Sequence, residues 1–143
     1  MIAYLDTSAL AKWYLNEPFS EQFEDYVRSR PSSDISRLTV VELRSLLARR
    51  RRAGDFGKSV ERRVLSTFQQ DVADGALHVQ PIGDERFTDA MALIDRLSRH
   101  PLRTLDALHL AIAEGIGADE LATADRTMAA AARALGFGVR RFY

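Results

Sequence analysis

Short apolar runs alternate along the chain with longer stretches whose apolar residues recur every three or four positions. Ile2-Ala3-Tyr4-Leu5 has the length and composition of a buried strand. Ala9-Leu10-Ala11-Lys12-Trp13-Tyr14-Leu15 reads as a helix that Thr7-Ser8 can cap, broken at Asn16-Glu17-Pro18. Phe19, Phe23, Tyr26 and Val27 fall at helical spacing. Pro31-Ser32-Ser33 is a turn, and a short strand from Asp34 to Arg37 leads into a helix that opens at Thr39. That helix runs through Arg49-Arg50-Arg51-Arg52 and ends at Gly54. Phe56, Val60, Val64, Phe68 and Val72 mark a long helix ending near Gly75, and Leu77-His78-Val79 reads as a strand. Phe87, Ala90, Met91, Ile94 and Leu97 mark a helix stopped before Pro101. Leu105, Leu108 and Ile112 mark the next, with Gly115 as its terminator. A strand from Leu121 to Thr123, an alanine-rich helix from Arg126 to Leu135 ended by Gly136, and a strand from Val139 to Phe142 complete the pattern.

Strands that alternate with helices predict an α/β domain with a mostly parallel sheet. In such sheets ligands bind beyond the carboxyl ends of the strands. Asp6 closes the first strand and Asp125 follows the strand ending at Thr123, so both belong at that edge. Glu42 and Asp106 fall in the first turns of two apolar helices, Thr39-Val40-Val41-Glu42-Leu43-Arg44 and Thr104-Leu105-Asp106-Ala107-Leu108-His109. Taken singly, each is a common capping or first-turn acid, favoured by the helix dipole. Carboxylates on otherwise apolar elements are costly to bury unless a cation holds them. A cluster drawn from distant segments suggests a divalent metal.

At 143 residues the chain is read as one domain, residues 1–143, large enough to bury about two thirds of its unfolded surface. It has no cysteine, which excludes disulfides, thiolate zinc sites and a cysteine nucleophile. No apolar run approaches the roughly 18 residues of a membrane span, and no signal peptide is recognisable, so the expectation is a cytoplasmic protein without a membrane partner. The 20 basic and 20 acidic residues balance, which argues against a uniformly basic nucleic-acid binder. The balance is local only. Arg37 to Arg63 holds nine basic residues against Glu42, Asp55 and Glu61, a net of 9 − 3 = +6. Such a surface beside an acidic site could hold a polyanion. His109 reads as a satisfied core histidine, and no histidine metal site is visible.

Tyr4-Leu5-Asp6-Thr7-Ser8-Ala9-Leu10 resembles the opening motif of PIN-domain ribonucleases. Ser36-Arg37-Leu38-Thr39-Val40-Val41-Glu42-Leu43 resembles their second motif, and Leu105-Asp106-Ala107-Leu108-His109-Leu110-Ala111 their third. Leu121-Ala122-Thr123-Ala124-Asp125-Arg126, followed by Ala131-Ala132-Arg133-Ala134-Leu135-Gly136, resembles the fourth. The motifs stand in order from end to end of the chain, and this compact form resembles the VapC toxins of toxin–antitoxin pairs. Phe56 to His100 carries no matching motif. The resemblance implies a PIN-like three-layer α/β fold with a central, mostly parallel sheet flanked by helices. It implies an Mg²⁺- or Mn²⁺-dependent endoribonuclease acting on RNA, with Asp6, Glu42, Asp106 and Asp125 as catalytic metal-binding residues. Asp6 and Asp106 would be the most direct ligands, Asp125 a direct or second-metal ligand, and Glu42 a ligand through water or a guide for the nucleophile. Thr7, Ser8, Arg44 and Thr123 would orient carboxylates, water or phosphate around them. A VapB-like antitoxin and a homodimer are the expected partners. The aromatic residues Trp13, Tyr14, Phe19 and Phe23 are the expected surface for pairing. The competing class is a PIN-like module that binds RNA or protein without cleaving.

Overall fold

The computed structural model describes residues 1–143. The chain runs β1 (Ala3–Leu5), α1 (Thr7–Tyr14), α2 (Ser20–Arg28), β2 (Ser33–Ser36), α3 (Arg37–Arg52) and α4 (Lys58–Ala73). It continues β3 (Leu77–Gln80), α5 (Asp84–Arg96), α6 (Thr104–Gly115), β4 (Glu120–Thr123), α7 (Arg126–Ala134) and β5 (Gly138–Arg141). All neighbouring strands are parallel, in the order β3-β2-β1-β4-β5. The strand order therefore reverses between β1 and β4. A crevice opens beyond the carboxyl ends of strands at such a switch; Asp6 follows β1 directly, and Asp125 follows β4 after Ala124.

Helices cover both faces, as a parallel sheet requires. Successive strand residues point to opposite faces, and the central strands feed two cores. Ala3 and Leu5 of β1 and Ala122 of β4 join Leu10, Phe23, Leu43, Leu47 and Phe68 from α1 to α4. Tyr4 and Leu121 turn to the other face, against Leu93, Leu110, Ile112 and Met128 from α5, α6 and α7. The fold is the three-layer, PIN-like α/β arrangement expected from the sequence.

Several local readings change. Of the capping readings open for α1, the one that holds is Asp6, its carboxylate accepting the Ala9 amide, and Thr7 and Ser8 lie inside the helix. Helix α3 opens at Arg37, capped by Ser36, so Glu42 stands in its second turn and not its first. Gly115 does not end α6 by a left-handed turn; Gly117 does, at φ +71°. Gly115 instead leaves room for the Arg86 guanidinium, which a β-carbon there would displace.

The aromatic residues of the first helices belong to the core. Phe23 is fully buried, edge-on to Phe142 at 5.1 Å. Tyr14 packs edge-on against Phe68 and donates its hydroxyl to Asp71 at 2.6 Å. Trp13 packs against the same core, and only Phe19 stays exposed. The exposed apolar stripe lies on α5, where Phe87, Met91 and Ile94 are 52%, 70% and 43% exposed. Their spacing of four and three residues puts them on one face. Ala90, Leu93 and Leu97 form the face that reaches the core.

Candidate active site

Asp6, Glu42, Asp106 and Asp125 line one cleft of about 110 Å³ with Thr7, Ser8, Arg103, His109 and Met128. Asp6 is the deepest acid. One carboxylate oxygen, Oδ1, accepts the Ser8 hydroxyl at 2.7 Å and the Ala9 amide at 2.9 Å. The other, Oδ2, accepts the Thr123 hydroxyl at 2.5 Å. Burial pushes the Asp6 carboxyl above the ordinary carboxylate range, although the charge of His109 and these donors oppose the rise. Thr123 also accepts the Asp125 amide, and Ser8 accepts the Ala124 amide. The two hydroxyls thus tie the end of β1 to the end of β4.

Glu42 enters from α3. Its Oε1 accepts the Thr7 hydroxyl at 2.8 Å and pairs with His109 Nε2 at 2.5 Å. Burial works to raise its pKa. The hydrogen bond and charge of His109, the Thr7 hydroxyl and the charge of Arg103 outweigh burial and hold the carboxyl below the ordinary range.

Asp106 and Asp125 combine a helix-capping duty with a place in the cleft. Asp106 Oδ2 accepts the Arg103 backbone amide at 3.2 Å, and Asp125 Oδ1 accepts the Met128 amide at 2.9 Å. Capping therefore occupies one oxygen of each acid. The Arg103 guanidinium, 80% exposed, bridges the pair at 3.4 Å from Asp106 and 3.7 Å from Asp125.

The donor set is all hard oxygen, the chemistry that Mg²⁺ and Mn²⁺ select. Glu42 Oε2 and Asp106 Oδ1 accept no hydrogen bond, and Asp125 Oδ2 meets only Arg103. As the side chains lie, however, no three of these groups surround a common point. Positive charge comes instead from Arg103. The residues fit a divalent ion by donor type, and Arg103 competes with such an ion for the two oxygens that it bridges.

Arg44 is elsewhere. Two residues after Glu42 on a helix is about 200° around the axis, so Arg44 faces α4 and pairs with the buried Glu61 at 3.3 Å. The arginine run is likewise partly neutralised. Arg51 shares Glu61 at 2.9 Å, and Arg50 pairs with Glu17 and Asp55. Arg103 is the charged cleft residue that sequence reasoning passed over, and His109, read as a core histidine, reaches the cleft as well. Arg103 lies three residues before Asp106, the separation of neighbours on a helix surface. His109 lies three residues after it, within a run of otherwise apolar side chains.

With this geometry in view, likeness to known proteins is informative. The PIN domain family matches residues 3–134. The chain belongs to the PIN domain family. Among curated PIN relatives, Ribonuclease VapC46 of Mycobacterium tuberculosis is 36% identical over 139 residues, 95% of this chain and 94% of that protein. Among solved structures, VapC20 of Mycobacterium tuberculosis, a sarcin–ricin loop cleaving toxin, superposes with a TM-score of 0.72. Its identity is 18%, over 94% of this chain and 95% of the other. The DNA-bound VapBC of Salmonella typhimurium gives 0.69 at 17% identity, over 100% and 99%. At these identities the structural matches speak for the PIN fold alone. No helix of this PIN domain is long and apolar enough to cross a membrane.

Proposed function

We propose that this chain is a metal-dependent endoribonuclease that hydrolyses RNA phosphodiester bonds, the toxin of a VapBC-type pair. The observation that carries the reading is the convergence of four acids from β1, α3, α6 and the end of β4 in one cleft of a PIN domain. The ribonuclease relative at 36% identity supports the substrate class.

Asp6, Asp106 and Asp125 would hold Mg²⁺ or Mn²⁺, with Glu42 completing the set through Oε2 or through water. Such an ion supplies charge neutralisation at the phosphoryl oxygens and lowers the pKa of an attacking water. Thr123, Ser8 and the Ala9 amide fix the Asp6 carboxylate. Glu42 is held ionised, so its free oxygen can accept a hydrogen bond from a water and orient it. Arg103, once withdrawn from Asp106 and Asp125, can meet a phosphate at the mouth of the cleft. The test is cleavage of single-stranded or loop RNA with Mg²⁺, with Mn²⁺ and in excess EDTA. Wild type should cut only with metal, and Asp106→Asn should lose cleavage while remaining folded. Equal cutting in EDTA, or an active Asp106→Asn variant, would sink the mechanism and leave the binding-module reading or another nuclease chemistry.

A VapB-like antitoxin is the proposed partner, expected to block cleavage near stoichiometry. A homodimer is proposed as well, through the exposed stripe of α5 rather than through the first helices. That stripe is the contiguous apolar face the core leaves uncovered, and symmetric pairing is the commonest way to cover one.

A further inference from the structure

One buried chain of hydrogen bonds behind the cleft has no duty in the reading given above. His109 is 3% exposed and Tyr4 0% exposed, on α6 and β1. His109 Nδ1 meets the Tyr4 hydroxyl at 2.7 Å, and that hydroxyl lies 3.0 Å from Ser36 Oγ, the cap of α3. His109 Nε2 meets Glu42 Oε1 at 2.5 Å. A polar ring among Ala107, Leu108 and Leu110 costs stability unless its nitrogens are used; here both are. We propose that His109 is a positioning residue which, held by Tyr4, turns the Oε1 oxygen of Glu42 inward and presents Oε2 alone to the cleft. The proposal rests on the nuclease reading and adds a residue to it.

The oxygen count carries the argument. Thr7 from α1 and His109 from α6 both grip Oε1, while Oε2 has no partner in the protein. A carboxylate held at one oxygen from two elements has one rotamer and one free acceptor. An ionised carboxylate only accepts, so His109 Nε2 must carry the hydrogen. Nδ1, on the other side of the ring, meets the Tyr4 hydroxyl, which donates in turn to Ser36 Oγ. The relay begins at the cap of α3 and returns to the second turn of the same helix. It therefore fixes Glu42 to the frame that carries it. Glu42 is thereby committed to a single oxygen toward metal or water, not to bidentate ligation.

The test uses metal-free wild type, His109→Leu, His109→Gln and Tyr4→Phe, each checked for cooperative melting. Mn²⁺ titration calorimetry without RNA, cleavage kinetics and ring ¹⁵N NMR of His109 are the readouts. Altered support behind a metal ligand typically costs about 10–100-fold in affinity or activity. His109→Leu should weaken Mn²⁺ binding about tenfold and lower kcat with KM for RNA unchanged. His109→Gln, whose amide can donate to Oε1, should recover most of both, and Tyr4→Phe should fall between. The NMR shift should show a protonated Nε2. Wild-type Mn²⁺ affinity and kcat in His109→Leu, or a bare Nε2, would overturn the positioning role alone. If His109→Leu does not fold, wild-type behaviour of Tyr4→Phe overturns it instead. A wild-type protein that neither binds Mn²⁺ nor cleaves RNA overturns the nuclease reading and this proposal together.

Discussion

Thr123→Val separates the hydroxyl of this residue from its bulk. Thr123 is fully buried, donates to Asp6 Oδ2 at 2.5 Å and accepts the Asp125 amide at 2.9 Å. A hydrogen bond to a charged group contributes about 1.5–3 kcal/mol, and an unsatisfied buried amide costs about 1–3 kcal/mol. Asp125 is only part-buried, so water relieves some of the second cost, and the added methyl returns about 0.8 kcal/mol. The expected loss is about 2–3 kcal/mol. For a domain of this size that is a fall in Tm of roughly 5–12 °C. Thr123→Ser keeps the hydroxyl and loses one methyl, about 1 kcal/mol. The order of stability should therefore be Thr, then Ser, then Val, read by urea denaturation of metal-free protein. Acidity supplies a second check. The folded pKa of Asp6 is raised above its unfolded value, chiefly by burial, and Thr123 is one of the groups that hold it down. A raised carboxyl destabilises the fold above its folded pKa, and that penalty fades as pH falls through the folded pKa towards the unfolded one. Loss of the hydroxyl widens the gap, so the Val deficit should be largest at neutral pH and shrink in acid. A Val variant more stable than Ser, or a deficit that grows in acid, would refute the reasoning.

Arg103→Gln should tighten Mn²⁺ binding about two- to tenfold by removing two exposed ion pairs that compete for the same oxygens, each contributing roughly 0.2–1 kcal/mol. The gain should narrow as salt is added, and weaker binding would show that the guanidinium supports the ion. Asp6→Asn keeps an acceptor for the Ala9 amide while removing a buried charge, since Asn and Asp cap helices about equally well. Its metal-free Tm should exceed that of wild type, and Mn²⁺ should no longer raise it; a lower metal-free Tm would contradict the cost assigned to that carboxylate. Met91→Lys, on the exposed stripe of α5, should convert a dimer to a monomer at micromolar concentration by sedimentation with Tm changed little. An unchanged dimer would place the interface elsewhere.

The order of strands and helices was legible in the sequence because a helix that buries one face writes a period of three to four residues, while central strands buried on both faces read as short apolar runs. The four acids were legible for a related reason. Asp6, Asp106 and Asp125 fall beside apolar runs at element ends, where the cleft opens and the sequence has turn chemistry. That the acids also cap was not a rival to their place in the cleft, since capping Asp106 and Asp125 takes one oxygen and leaves the other. Only tertiary structure could decide the rest. Which face of α5 meets the core depends on its neighbour α6, so the period placed Phe87, Met91 and Ile94 on a helix without showing that they face outward. Arg44 looked near Glu42 in sequence, but the helical rotation turned it to Glu61. His109 looked like a core histidine, and its burial is real. What no spacing could announce is that Tyr4, 105 positions away, holds one nitrogen while Glu42, 67 positions away, takes the other. Patterns along a chain record burial against solvent, whereas a hydrogen-bonded pair across it is fixed only when the layers have packed.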